Sequence, residues 1–357
     1  MTTAKRVCLS LALAALIALA GSAVTLASGP ASAAGHEDNH ADDDVSLYVS
    51  SGDTNSVLAY DGETGAFQRT FARGGGLTEP EGIAFGPDGN FYVSSRSDQV
   101  LRYDGETGKF IDVFASGHGL VDPAGIAFGP RCSGAGHKRC RSHRRGGRGK
   151  DLFVASGLTD DGRGNQILRF DGKTGAFEAV VDPANKAGLD DPEAMVFRRG
   201  LLYVTSTPEN SPSEVLVYNP ANNSFVKKFV PAASSHILDA SGMVFGPKGD
   251  LFLSSAATSE VKRYDGTTGA FKGVFIPAGL GGLNEAEGMT YGPNGNLFVA
   301  SELGNAVLEY NGTTGAFVRR FVGGRKRGGL TEPTFIIFGP SPGERPGEHG
   351  GGHSLRG

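Results

Sequence analysis

Residues 80–95 read PEGIAFGPDGNFYVSS, and residues 287–301 return to the same phrase as EGMTYGPNGNLFVAS. In each, a short apolar run ends at Gly-Pro, turns within a few residues and comes back as a second run ending in serine. A third run of the VLRY type follows, then a DGxTG turn, then an AF-initiated fourth run. The second run recurs at Tyr48, Tyr92, Phe153, Tyr203, Phe252 and Phe298. These spacings are 44, 61, 50, 49 and 46, and the long one contains an inserted segment at 131–150. The third run ends at Tyr60, Tyr103, Phe170, Tyr218, Tyr264 and Tyr310. Five of the six turns that follow carry Asp-Gly or Asn-Gly, read here as the left-handed pair of a tight hairpin. The sixth is Asn219-Pro220-Ala221-Asn222-Asn223.

Four short strands per copy at a period of 40–50 residues describe one blade of a β-propeller. A lone four-stranded sheet cannot bury both of its faces, so the copies must stack around an axis. Six copies predict an all-β, six-bladed propeller of four-stranded antiparallel blades over 46–340. The repeat opens on a second strand (47–51) and closes just after a first strand (335–340). The expected closure is therefore a C-terminal strand pairing beside the N-terminal three.

The chain has 357 residues, 34 Lys+Arg, 38 Asp+Glu and a formal charge of −4. A charge so close to zero argues against a dedicated nucleic-acid binder, which needs a broad basic surface. Hydrophobic content of 39% with 22 Phe argues against wholesale disorder. Lys5 and Arg6 precede an apolar run at 7–20 and an Ala31-Ser32-Ala33 terminus, which reads as a secretory signal peptide over 1–33. Residues 34–45 are an acidic leader, and 341–357 a Gly/Pro/His-rich tail expected to be disordered. The 7–20 run is too short to cross ~30 Å of hydrocarbon. A secreted monomer with no membrane span is expected.

Functional candidates come from aligning the six lead-ins to the innermost strand: EPEG, DPAG, DPEA, DASG, EAEG and EPTF. The first position is acidic throughout: Glu79, Asp122, Asp191, Asp239, Glu285 and Glu332. Two readings fit, turn chemistry in which the carboxylate accepts a backbone N–H, or an electronegative rim. The fourth position is Gly or Ala in five copies, as crowding at an axis requires, and Phe335 is the exception. The third position alternates carboxylates with small residues: Glu81, Ala124, Glu193, Ser241, Glu287, Thr334. If Glu81, Glu193 and Glu287 face the axis, a divalent cation, a shared proton or solvation must relieve their repulsion. All-oxygen ligands suit Ca²⁺, or Mg²⁺, better than Zn²⁺. Loops on the same face add Arg96, Asp98, Asp160, Asp161, Glu209, Glu302 and Asn305, of which Asp160 and Asp161 fall outside the residues described below. His236, near Asp239, is a candidate for a catalytic His–Asp pair.

The quoted phrases resemble NHL-type repeats, over essentially all of 46–340. Similar six-bladed propellers include TolB-like proteins and the SMP/gluconolactonase-like group; the seven-bladed streptogramin B lyases use a related GPDG repeat. The gluconolactonase resemblance implies metal ligands at the third position, here Glu81, Glu193 and Glu287. That family mixes Glu with Asn and Asp there, with Asp as catalytic base, and this chain has neither. Lyases of the streptogramin type carry a WFT motif that is absent from this chain.

The insertion at 131–150 carries eight basic and no acidic residues, Arg139, Arg141, Arg144 and Arg145 among them. Cys132 and Cys140 are the cysteines left after signal removal. A disulfide, a zinc site with His137 and His143, or free thiols are the alternatives, the disulfide suiting an exported chain. The expected function is an extracellular ligand-binding or scaffold module, taking a small molecule, peptide or protein at its acidic mouth. A metal-dependent lactone hydrolase and a streptogramin-type lyase are the enzymatic alternatives.

Overall fold

The computed structural model describes residues 45–130, 150–158, 164–323 and 328–343. The signal segment, residues 34–44 of the leader, Cys132 and Cys140, the basic loop at 131–149 and the tail beyond 343 lie outside them. Six four-stranded antiparallel sheets form a six-bladed β-propeller. Blade 1 joins strands within 45–73 to Pro333–Pro340; blades 2 to 6 occupy 80–116, 123–181, 192–230, 242–276 and 286–323. The innermost strands touch one another in circular order, the last meeting the first. Closure follows the sequence expectation: Val45–Ser51 pairs with Pro333–Pro340 in the register Val45↔Pro340, Leu47↔Phe338, Val49↔Ile336.

Packing explains the repeat's aromatic marker. Tyr48, Tyr92, Phe153, Tyr203, Phe252 and Phe298 each sit between two blades, edge-on to aromatic neighbours. Tyr48 lies 4.7 Å from Phe71 and 5.3 Å from Phe85, and Phe298 lies 4.8 Å from Phe321 and 5.0 Å from Phe338. Six apolar clusters result, one per blade interface. Such edge-to-face rings add ~0.5–1.5 kcal/mol each beyond their buried area. Phe335 joins the cluster between blades 1 and 2 rather than standing apart from it.

At the DGxTG turns the left-handed residue is the second glycine, a correction to the Asp-Gly reading. Gly65, Gly108, Gly175, Gly269 and Gly315 all have φ of 71–79°. The leading Asp or Asn serves as an acceptor instead. Asp265 Oδ1 takes the N–H groups of Thr267 and Thr268 and the Thr268 hydroxyl, all at 2.9–3.0 Å. The small fourth position has an equally direct cause. A Cβ on Gly82, Gly125, Gly242 or Gly288 would come within 2.3–2.6 Å of a carbonyl oxygen on the next inner strand. Serines lock those strands: Ser50, Ser94 and Ser254 donate to the carbonyls of Glu81, Ala124 and Glu287 in the following blade, each at 2.6 Å.

Candidate functional site: an acidic mouth divided between Arg96 and a glutamate triad

All six acidic lead-in residues occupy the left-handed region: Glu79 and Asp122 at φ 40°, Asp191 at 42°, Glu332 at 44°, Asp239 at 48° and Glu285 at 56°. Five of their N–H groups donate to a side chain in the preceding blade. Glu79 reaches Asn55 (2.8 Å), Asp122 reaches Asp98 (3.0 Å) and Asp191 reaches Asn165 (2.7 Å). Glu285 reaches Ser259 (2.8 Å) and Glu332 reaches Asn305 (3.0 Å). The residue just before is bracketed by a second-strand serine of its own blade, as Ser301 Oγ does for both the N–H and the carbonyl of Asn284, each at 2.9 Å. In five copies a side chain of the preceding blade thus holds the bend by accepting its N–H. Glycine or asparagine would adopt this backbone with less strain.

Glu81 and Glu287 at the third position are buried, at 6% and 2% exposure, while Glu193 is half-buried. They do not share one environment. Arg96, which follows the second strand of blade 2, places one nitrogen on each of three carboxylates. Nη1 is 3.1 Å from Glu79, Nη2 is 3.3 Å from Glu81 and Nε is 3.3 Å from Asp122. On blade 6, Glu287 meets two other glutamates instead. Glu285, Glu287 and Glu302 each bring a carboxylate oxygen within 4.8 Å of the others. Among the described residues, Glu81, Glu193 and Glu287 do not form such a group with one another. The alternation seen in the sequence thus marks three separate places around the mouth. Glu302, 7% exposed, was visible only as a loop residue. Its signal is its location immediately after Ser301, where blade 2 has Arg96 after Ser95.

Negative charge accumulates beside the triad. The Glu332 carboxyl is pushed above the ordinary glutamate range, first by burial and then by Asp53 and Glu302, with Glu79 adding to it. Asp53 did not stand out in the sequence because it belongs to no repeated position.

His236 takes a different place. Its ring lies 4.6 Å from Phe271, and its carbonyl accepts the Lys262 ammonium. His118 likewise covers Phe177, stacked parallel with centroids 4.4 Å apart. Gly75, Gly281 and Gly328 lie against Phe110, Phe317 and Phe67 in their own loops. Both histidines therefore cover the aromatic that opens an outermost strand. A second acidic group, Asp151, Asp171 and Glu178, surrounds Arg169, which pairs with Asp151 and lies 3.0 Å from Glu178. Two of these three carboxylates, Asp151 and Glu178, already have a guanidinium as partner.

No helix among the described residues is long and apolar enough to cross a membrane. No family model matches the chain, and no curated protein matches it. Among solved structures, 1086 chains match, too many carriers for the fold to select a chemistry. One belongs to a structure titled "Crystal structure of Nidogen/Laminin Complex". It aligns at a TM-score of 0.60 and 15% identity, covering 82% of this chain and 98% of that one. At that identity the likeness shows the fold, a six-bladed β-propeller.

Proposed function

We propose that the protein is an exported, NHL-like, non-enzymatic ligand-binding module whose acidic mouth holds a divalent cation, Ca²⁺ in preference to Mg²⁺, at Glu285, Glu287 and Glu302. The observation that carries this reading is the triad itself, three carboxylates with mutual oxygen distances within 4.8 Å, two of them buried. Three oxygens evenly spaced around one ion at a Ca–O distance of ~2.4 Å lie about 4.2 Å apart, so a side-chain shift of about half an ångström closes this triad on an ion. At 4.8 Å and an effective dielectric of 20, each ionised pair repels by about 3.5 kcal/mol. A bound cation turns that cost into attraction. The rest of the mouth, with Glu79, Asp239 and Glu332 around it, then presents carboxylates and a coordinated ion to an extracellular small molecule, peptide or protein. The nidogen-containing complex supports the reading only by analogy, as a propeller of the same fold within a protein assembly.

The lactone-hydrolase alternative uses the same ion but needs a base beside it, and His236 is packed on Phe271. Binding without turnover is therefore the preferred reading. Calorimetric titration of EDTA-treated protein with CaCl₂ tests it: one saturable site is expected, lost in Glu287→Gln. Absence of binding by Ca²⁺, Mg²⁺ and Mn²⁺ alike would refute it. Lactone turnover by wild type that disappears in Glu193→Gln would favour the hydrolase instead.

A further inference from the structure

Each inner strand starts at the mouth and ends at a turn on the opposite face of the ring. On that face a pocket of about 130 Å³ lies between blades 5 and 6, walled by Phe252 and Tyr291 and carrying Lys248, Asp250, Arg263 and Thr313. Lys248 and Thr313 are exposed, so the pocket opens to solvent, whereas Asp250 and Phe252 are buried. Asp250 does not leave the pocket negative. Its Oδ2 accepts Nε of Arg263 at 2.6 Å and pairs with Nη2 as well, and its Oδ1 accepts the Lys272 ammonium at 2.9 Å. Burial alone would raise this carboxyl, but the Lys272 and Arg263 bonds outweigh it and hold it below the ordinary aspartate range. Lys272 also lies 3.7 Å from Asp265. The cations Lys248, Arg263 and Lys272 thus outnumber the carboxylates Asp250 and Asp265. Among the described residues, the Lys248 ammonium, the Arg263 Nη1 and the Thr313 hydroxyl have no hydrogen-bond partner.

The repeat shows this excess to be a departure. The third-strand arginine of blade 2, Arg102, lies 3.8 Å from Asp88 and 2.6 Å from Asp112. Its counterpart in blade 3, Arg169, pairs with Asp151 and Glu178. In blade 5, Lys248 stands in the place of Asp88 and Lys272 in that of Glu178. At the position of Thr313, blades 1 and 2 have Glu63 and Glu106. We propose that this pocket is an anion site that takes a tetrahedral oxyanion, a phosphate or sulfate group, held by Lys248, Arg263 and Thr313. Its volume is below the ~300 Å³ at which pockets for drug-sized ligands begin, and suits a single such group. Donors on three separate side chains match acceptors that point in several directions. A planar carboxylate would call for two parallel guanidinium N–H groups, and Asp250 already occupies that edge of Arg263. The site stands apart from the acidic mouth and does not depend on the cation reading of blade 6.

Calorimetric titration at low ionic strength with sodium phosphate, sodium sulfate and glycerol 1-phosphate tests the proposal on wild type, Thr313→Val and Lys248→Glu. Wild type should show one saturable site that weakens as NaCl is raised. Thr313→Val should bind roughly tenfold more weakly, as for one lost hydrogen bond to a charged group. Lys248→Glu should not bind. Both substituted side chains are exposed, so melting temperatures without added anion should match wild type's. Binding of the free ions would support a site for the ion itself, and binding of the ester alone a site for the same group carried on a larger molecule. No binding of any of the three would overturn the proposal. So would binding that Lys248→Glu leaves unchanged, including binding that disappears only when the basic insertion is deleted.

Discussion

Replacing Glu287 by glutamine removes one charge and leaves the shape of the side chain nearly unchanged. Glu287 lies within 4.8 Å of two carboxylates and is 2% exposed, so solvent screens little of the interaction. With all three ionised, its two repulsions would total about 7 kcal/mol at an effective dielectric of 20. A carboxyl group can escape by taking up a proton, which at pH 7 costs about 3.7 kcal/mol for an ordinary glutamate. The smaller figure is an upper limit on what the mutual repulsion of the three carboxylates can cost in EDTA. Allowing for the buried amide left by the substitution, Glu287→Gln should stabilise the protein in EDTA by about 1–3 kcal/mol. For a domain of this size that raises the melting temperature by roughly 2–6 °C. Calcium should reverse the order. At a hundredfold excess over Kd, wild type gains about 2.7 kcal/mol and the variant little or nothing. Differential scanning fluorimetry in EDTA and in graded CaCl₂ reads both effects. A variant that melts below wild type in EDTA, with an unchanged calcium response, would refute the electrostatic account of this site.

The DGxTG turns contribute acid sensitivity. The Asp265 carboxyl is lowered to about 2 by the Thr268 and Thr267 N–H groups and the Thr268 hydroxyl. A depressed carboxyl contributes stability that is complete above its unfolded pKa near 4 and is lost as pH falls from about 4 to 2. Asn311 makes the same three bonds in blade 6, so Asp265→Asn should match wild type at pH 7 and lose less stability across that window in acid-titrated melts. Gly125→Ala places a methyl 2.3 Å from the Glu193 carbonyl, and should cost about 1–3 kcal/mol in urea denaturation as the inner strands are forced apart. Arg169→Met strips the guanidinium from Asp151, which is wholly buried, and should cost about 3–5 kcal/mol by the same assay.

The blades were legible because their determinants are local. The Thr-Gly turn recurs in five copies, and the serine that ends the second strand and the inter-blade aromatic recur in all six, at near-fixed offsets. Closure was legible too, since a chain opening on a second strand leaves one inner position for Pro333–Pro340 to fill. The mouth was legible as composition but not as pairing. The third-position alternation pointed to Glu81, Glu193 and Glu287 as one set. Glu81 and Glu287 instead meet residues from the loops after the second strands, where Arg96 and Glu302 occupy one repeat position with opposite charge. The acidic first position was ambiguous for a related reason. Its left-handed bend is held by Asn55, Asp98, Asn165, Ser259 and Asn305 of preceding blades, contacts that no pattern within a single copy reveals. His236 near Asp239 suggested chemistry by proximity in sequence, whereas three-dimensional packing sets it against Phe271 in the next blade.

An anomalous difference map from a crystal equilibrated with Mn²⁺ tests the central claim most directly. The account predicts one strong peak among the carboxylates of Glu285, Glu287 and Glu302, and none beside Arg96. A map with no density at that triad, or with the ion bound elsewhere in the mouth, would contradict it.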